Sequence, residues 1–201
     1  MKHPMPPRPS IAVPLRRLLE ALVSAAPGAL AGVDPDRVLI IAAAARKDAH
    51  ASIRPLSFGG HPPRYVSDGQ RLQKPKVVID GREMLFEIAL RPRFFLDTHP
   101  LERVSILAHE LYHVDPERPG LLSEARRHVH ASPGALDEAT REIVESWRAK
   151  GAKAGEVVEL RDELTLDAWR VRPPSRLLET HRDQRLYTEQ HLYPAVVSFA
   201  G

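Results

Sequence analysis

Apolar residues recur at helical spacing in some stretches of the chain and alternate or run together in others. Leu15, Leu18, Leu19 and Leu22 predict a helix over 11–26, which Pro27-Gly28 ends. Val38 to Ile41 is a short apolar run followed by four alanines. The run suits a buried strand and the alanines a helix, and we read it as a strand. Residues 51–56 alternate and predict a strand beside it, after which Gly59, Gly60, Pro62 and Pro63 open a polar loop that runs to about Lys76. A loop of that length is a mobile segment or a functional lid.

Val77 to Ile79, Asp80-Gly81 and Met84 to Leu90 predict a hairpin, because Asp-Gly supplies the positive φ angles of a tight two-residue turn. Met84, Phe86, Ile88 and Leu90 fall on one side and Leu85, Glu87 and Ala89 on the other, so one face is expected buried and the other at least partly open. A helix follows from Pro100, with Leu101, Val104, Ala108 and Leu111 on one apolar face and Ile106, His109, Glu110 and His113 around another. Asp97 and Thr98 offer capping oxygens just before it. Val114-Asp115-Pro116 ends this helix and Pro119-Gly120 turns the chain back. A short helix is expected over 121–130, and a longer one from Ser132-Pro133 to Ala149, with Leu136, Thr140, Ile143 and Trp147 at helical spacing. Val158, Leu160, Leu164, Leu166, Trp169 and Val171 suggest a strand pair before Pro173-Pro174, and residues 195–199 a last strand. No internal repeat is visible. The whole predicts an α+β fold, with residues 1–10, four of them proline, as a flexible tail and 11–201 as a single domain.

Composition narrows the chemistry. The 201 residues contain no cysteine, which excludes a disulfide scaffold, a thiolate zinc ribbon and a cysteine nucleophile. Any metal must then be held by His, Asp or Glu, and ten histidines are present. The net charge is only +3, and the arginines are scattered without a basic run interleaved with aromatics, so the charge reads as a solvated surface and only weakly as a nucleic-acid site. No secretory signal and no apolar run long enough to cross a bilayer are seen, which predicts a soluble, cytoplasmic protein.

The stretch that organises the rest is His109-Glu110-Leu111-Tyr112-His113. Residues four apart lie on one helix face, so two imidazoles can reach one ion while the glutamate stands beside the water bound to it. These are the parts of a zinc hydrolase. A catalytic zinc takes three protein ligands and a water, so a third residue is required from downstream. The candidates are His128, His130, Glu117, Glu124, Glu138 and Glu142. Glu117 is too near a proline-flanked break to turn back, whereas His128 follows a segment long enough to reverse direction, and we favour it. If 121–130 is helical, His128 and His130 point about 200° apart and only one faces the metal; if extended, both can.

From Val77 to His130, roughly a quarter of the chain, the sequence resembles small metallopeptidases of bacteria, archaea and phages, with the spacing of SprT-like proteases. The shared pattern of strand, His-Glu-Leu-x-His, Gly-containing loop and third His falls on His109, Glu110, Leu111, His113, Gly120 and His128, with Arg126 two residues before the last. Two departures stand out: no cysteine-bearing DNA-binding segment accompanies the motif, and Arg127 and Val129, not a glycine, flank His128. Residues after Ala149 lie outside the resemblance. It implies a zincin-like fold in which His109, His113 and His128 hold Zn2+, Glu110 is the general base, and the substrate is a peptide or protein lying along an exposed strand edge. Arg126, Arg127 or Tyr112 are the candidates to assist the oxyanion. The rival readings are a non-catalytic zinc module, which a fourth protein ligand would indicate; a SprT-like protease acting on nucleic-acid-associated proteins; and a nucleic-acid-associated protein whose basic charge is its main feature and whose binding would weaken steeply with salt.

Overall fold

The structure is a computed structural model, and it describes residues 8–46, 49–56, 65–67, 70–128, 130, 132–151, 162–178 and 185–199. Helix α1 (Ala12–Ala25) buries Leu15, Leu18, Leu19 and Leu22, the stripe its sequence predicts. Strands β1 (Val38–Ala42) and β2 (Ala51–Pro55) follow, and then β3 (Tyr65–Ser67) and β4 (Gln70–Gln73), which occupy part of the stretch expected as a polar loop. Residues 57–64 of that stretch lie outside the described residues.

Strands β5 (Lys76–Ile79) and β6 (Arg82–Glu83) form the expected hairpin, and Asp80 and Gly81 at its turn have φ angles of 49° and 76°. The hairpin is shorter than the pattern suggests. Its second arm leaves β5 after the Met84 amide has donated to the Val77 carbonyl at 2.9 Å, and β7 (Phe86–Leu90) pairs instead with β1 in parallel and with β2 antiparallel, giving the sheet order β1-β7-β2. All of β7 is buried, so neither of its faces is open as the alternation predicts. Its first face, with Val38 and Ile40 of β1, enters the larger core beside α1. Its second, with Leu39 and Ile41, meets a smaller core that contains Val77, Met84, Tyr187 and Leu192.

A one-turn helix not anticipated from the pattern, α2 (Pro92–Leu96), leads to α3 (Pro100–Tyr112). The N-cap of α3 is His99, whose amide donates to Glu102 at 2.7 Å, and not Asp97 or Thr98. Asp97 is taken by Arg93, and the Thr98 hydroxyl donates to the Phe94 carbonyl at 2.5 Å. Leu107, not the exposed Leu101, completes the buried face with Val104, Ala108 and Leu111. Each fully buried leucine of this kind contributes about 1.5–3 kcal/mol. Helix α4 (Pro133–Ala149) lays Leu136, Thr140, Ile143 and Trp147 against α3 and α1.

Strand β8 (Asp162–Trp169) lies beside β1, and β9 (Leu177–Leu178) joins β3 and β4 in the order β3-β4-β9. Strand β10 (Leu186–Tyr187) runs parallel to β5. The last strand, β11 (Leu192–Phe199), begins before the predicted 195 and pairs antiparallel along the full length of β8, so these two make the ladder that the pattern assigns to residues 158–171 alone. Part of that stretch, residues 158–161, lies outside the described residues.

Residues 8–10, expected as tail, are tied to β8: Ser10 bridges Thr165, and Arg8 pairs with Glu163 at 2.6 Å. Residues 1–7 lie outside the described residues. The architecture is α+β, with four α-helices and small mixed sheets among the described residues. No helix there is long and apolar enough to cross a membrane.

Candidate metal centre

His109 and Glu110 occupy the last turn of α3, and His113 is its C-cap. The turn of helix between the two histidines brings His113 Nε2 to 3.1 Å from His109 Nε2. The chain then folds back on the helix end. Val114 bridges Leu122, the Ser123 amide donates to the His113 carbonyl at 2.9 Å, and Gly120 takes φ 82° at the bend. Asp115 braces this loop by accepting from the Glu117 and Arg118 amides, each at 3.0 Å. Gly32, in the loop after α1, packs so tightly beneath it that a Cβ there would sit 2.0 Å from the Asp115 carbonyl oxygen.

The returning segment carries His128 to the cluster, its Nε2 3.3 Å from that of His109. The helix expected over 121–130 is not formed. Only a single 3-10 turn over Glu124–Arg126 appears, and Arg127 is extended at φ −79°, ψ 144°. The reason is that the Ser123 amide donates to the His113 carbonyl and the Leu121 carbonyl accepts from the Asp115 amide, so this stretch pairs with the residues that follow α3 and its Leu121 carbonyl is not left to open a helix. His130 points elsewhere, exposed, with Nε2 3.9 Å from Glu124. Of the carboxylate candidates, Glu124 pairs with Arg127, Glu138 pairs with Arg141, and Glu117 and Glu142 are exposed outside the cluster.

Three imidazole nitrogens thus converge, within 4.8 Å of one another. The His113 ring donates from Nδ1 to the Arg126 carbonyl at 2.6 Å, which leaves the Nε2 lone pair directed at the cluster. On the far side of His109, Thr140 Oγ1 lies 3.4 Å from Nδ1. Burial first, and then the neighbouring imidazoles His113 and His128, hold the His109 pKa down at about 4. Burial likewise lowers His113. Both rings are therefore neutral at pH 7, the state that offers lone pairs to a cation. Two nitrogens each about 2.05 Å from a tetrahedral ion stand about 3.3 Å apart, and the observed 3.1 and 3.3 Å match that edge. Among the described residues no fourth His, Asp or Glu joins the group.

The Glu110 carboxylate sits between α3 and the sheet, where Oε2 accepts the Ile53 amide at 2.8 Å. Burial raises its pKa to about 7, outweighing that hydrogen bond and the charge of Arg91. The strand beside the helix is β2, the sheet edge, and not the 84–90 strand, which lies at the sheet centre. Pro55, lacking an N–H, fits an edge position.

Arg126 is not free to stabilise a developing charge. Its Nη1 donates to the carbonyls of Ala29, Tyr112 and Val114 at 3.0, 3.0 and 3.1 Å, and the guanidinium stacks 4.1 Å from the Tyr112 ring centroid. Arg127 is paired with Glu124. Thr140 carries a signal in the sequence, since a hydroxyl in an apolar helical stripe needs a partner. The Ile53 amide and Arg126 carbonyl are main-chain groups with no residue signature. No protein-family model matches the chain, and neither a curated protein nor a solved structure matches it.

Proposed function

We propose that the chain is a zinc-dependent metallopeptidase of zincin-like architecture. The observation that carries the reading is the convergence of the His109, His113 and His128 Nε2 atoms on the helix that also carries Glu110. Zinc is the metal that a set of three neutral imidazoles suits, and when bound there it supplies Lewis acidity and lowers the pKa of its water toward neutrality. Glu110, with its carboxyl at about 7, takes up a proton from the attacking water and returns it to the leaving amine. The Arg126 carbonyl and the Thr140 hydroxyl keep the two helix imidazoles in orientation. The outer edge of β2, already hydrogen-bonded to Glu110 through Ile53, is suited to hold an extended peptide by main-chain hydrogen bonds. A three-residue group with no fourth protein ligand among the described residues favours this over a purely structural zinc site.

The test is hydrolysis of denatured casein by the zinc-supplemented protein, read by mass spectrometry as new termini. Glu110→Gln should fold and retain zinc yet cleave about 10²–10⁴-fold more slowly. Undiminished cleavage by that variant would rule out the assigned base.

A further inference from the structure

A second concave site lies apart from the histidines, between the end of β1, α2 and the outer side of the β8–β11 ladder. It is a groove of about 810 Å³ with apolar walls that include Phe95, Trp169 and Val196. That volume is within the range of small-molecule sites. Three arginines, Arg46, Arg91 and Arg172, line it, and among the described residues no acidic side chain does.

The charges are poorly balanced. Arg91 is 6% exposed; it donates to the Ala44 carbonyl at 2.9 Å and the Ser52 hydroxyl at 3.1 Å, but its buried Nε has no partner. A buried guanidinium N–H left unpaired is costly, so the protein itself leaves the Arg91 charge under-satisfied. Arg172 has a carboxylate partner in Glu87, at 2.5 Å, but Glu87 is shared with Arg54 at 2.7 Å, so one negative charge serves two cations. Arg46 is exposed, with no acidic partner among the described residues. Burial first, and then the repulsion of Arg46 and Arg172, lowers the Arg91 pKa against the smaller attraction of Glu110 and Glu87, which places the three guanidinium groups within electrostatic reach of one another.

We propose that this groove binds a small organic anion, a carboxylate on an apolar chain or ring, with the carboxylate held by Arg46, Arg91 and Arg172 and the apolar part against Trp169, Phe95 and Val196. The positive field attracts the head and the walls take the body, a division that neither a neutral lipid nor a bare inorganic ion satisfies.

Calorimetric titration with octanoate tests it, with 1-octanol and inorganic phosphate as probes of each half alone. Octanoate should bind saturably at about one per chain, and both single-feature probes at least about tenfold more weakly. Arg46→Ala, at an exposed position, should weaken octanoate about tenfold, the loss of one charge-assisted contact. Val196→Trp, which narrows the groove from an exposed site, should abolish binding. His128→Ala should leave binding unchanged. Equal affinity for 1-octanol, no saturable octanoate binding, or full binding in both groove variants would overturn the proposal. Loss of binding in His128→Ala would also overturn it, by assigning the carboxylate to the histidine cluster.

Discussion

At Glu110 and His109 two titrations oppose each other. In metal-free protein His109 stays neutral down to about 4 where a free imidazole titrates at 6.5, so its contribution to stability is present above 6.5 and lost as pH falls toward 4. Glu110 has the reverse sign. With its carboxyl at about 7 against 4.5, the fold keeps a proton that the unfolded chain releases, and that contribution is present below 4.5 and lost as pH rises to about 7. Between 4.5 and 6.5 the two partly cancel. His113, also lowered by burial, adds to the histidine side, so metal-free wild type should lose Tm on acidification across that window, and Glu110→Gln, keeping only the histidine contributions, should lose it more steeply. Equal slopes in thermal melts would contradict the opposed signs. His109, Glu110 and His113 are legible in the sequence because i, i+4 proximity is local to a helix. What holds them, the Ile53 amide and the Arg126 carbonyl, depends on which backbone arrives from 57 residues before Glu110 or 13 residues after His113, and no residue type announces that.

The element that completes the site is the loop from Val114 to His128, and its anchor is the Arg126 side chain. One nitrogen of Arg126 serves three carbonyls, one of them that of Tyr112, the last residue of α3, where helix carbonyls lack intrahelical donors, and another that of Val114 just beyond the cap. Arg126→Ala should cost about 1.5–3 kcal/mol in denaturant unfolding, the range for hydrogen bonds to a charged group, and should weaken zinc binding because His128 is no longer held. Arg126→Lys should recover only part of the loss, since an ammonium can donate to the same oxygens but cannot stack on Tyr112 as the planar guanidinium does. Full stability in Arg126→Ala would remove the clamp from the account. The same loop explains why His128 is identifiable while the helix drawn around it is not. Chain reversal after Pro119-Gly120 is a local turn property, whereas the pairing of residues 121–123 with the residues that follow α3 is a tertiary choice that overrides helix propensity.

For the whole molecule, the joint between the β1-β7-β2 sheet and the end of β8 is a buried carboxylate. Glu87, at the centre of β7, is fully buried and accepts from Arg54 at 2.7 Å, Trp169 Nε1 at 2.8 Å and Arg172 at 2.5 Å. Burial works to raise its pKa, but the hydrogen bonds and charges of Arg54 and Arg172 outweigh it and hold the group below the usual 4.5. Its contribution is thus present above 4.5 and lost as pH falls below it. Glu87→Leu, which strands two arginines, should cost about 3–5 kcal/mol in urea unfolding at pH 7, and a neutral outcome would mean the network is dispensable. The α+β class, the hairpin turn at Asp80-Gly81 and the site helix are readable from the residues, because periodicity and turn chemistry act within a few positions. The central place of β7 is not, since the residues that cover its second face lie far along the chain, among them Trp169, Tyr187 and Leu192. The central claim, three histidines forming one metal centre, is tested most directly by zinc content and affinity measured on wild type, His128→Ala and His130→Ala purified without chelator. We predict about one zinc per chain in wild type and His130→Ala, and binding weaker by an order of magnitude or more in His128→Ala. No bound zinc and no binding on titration of the wild type, or equal affinity in all three proteins, would contradict it.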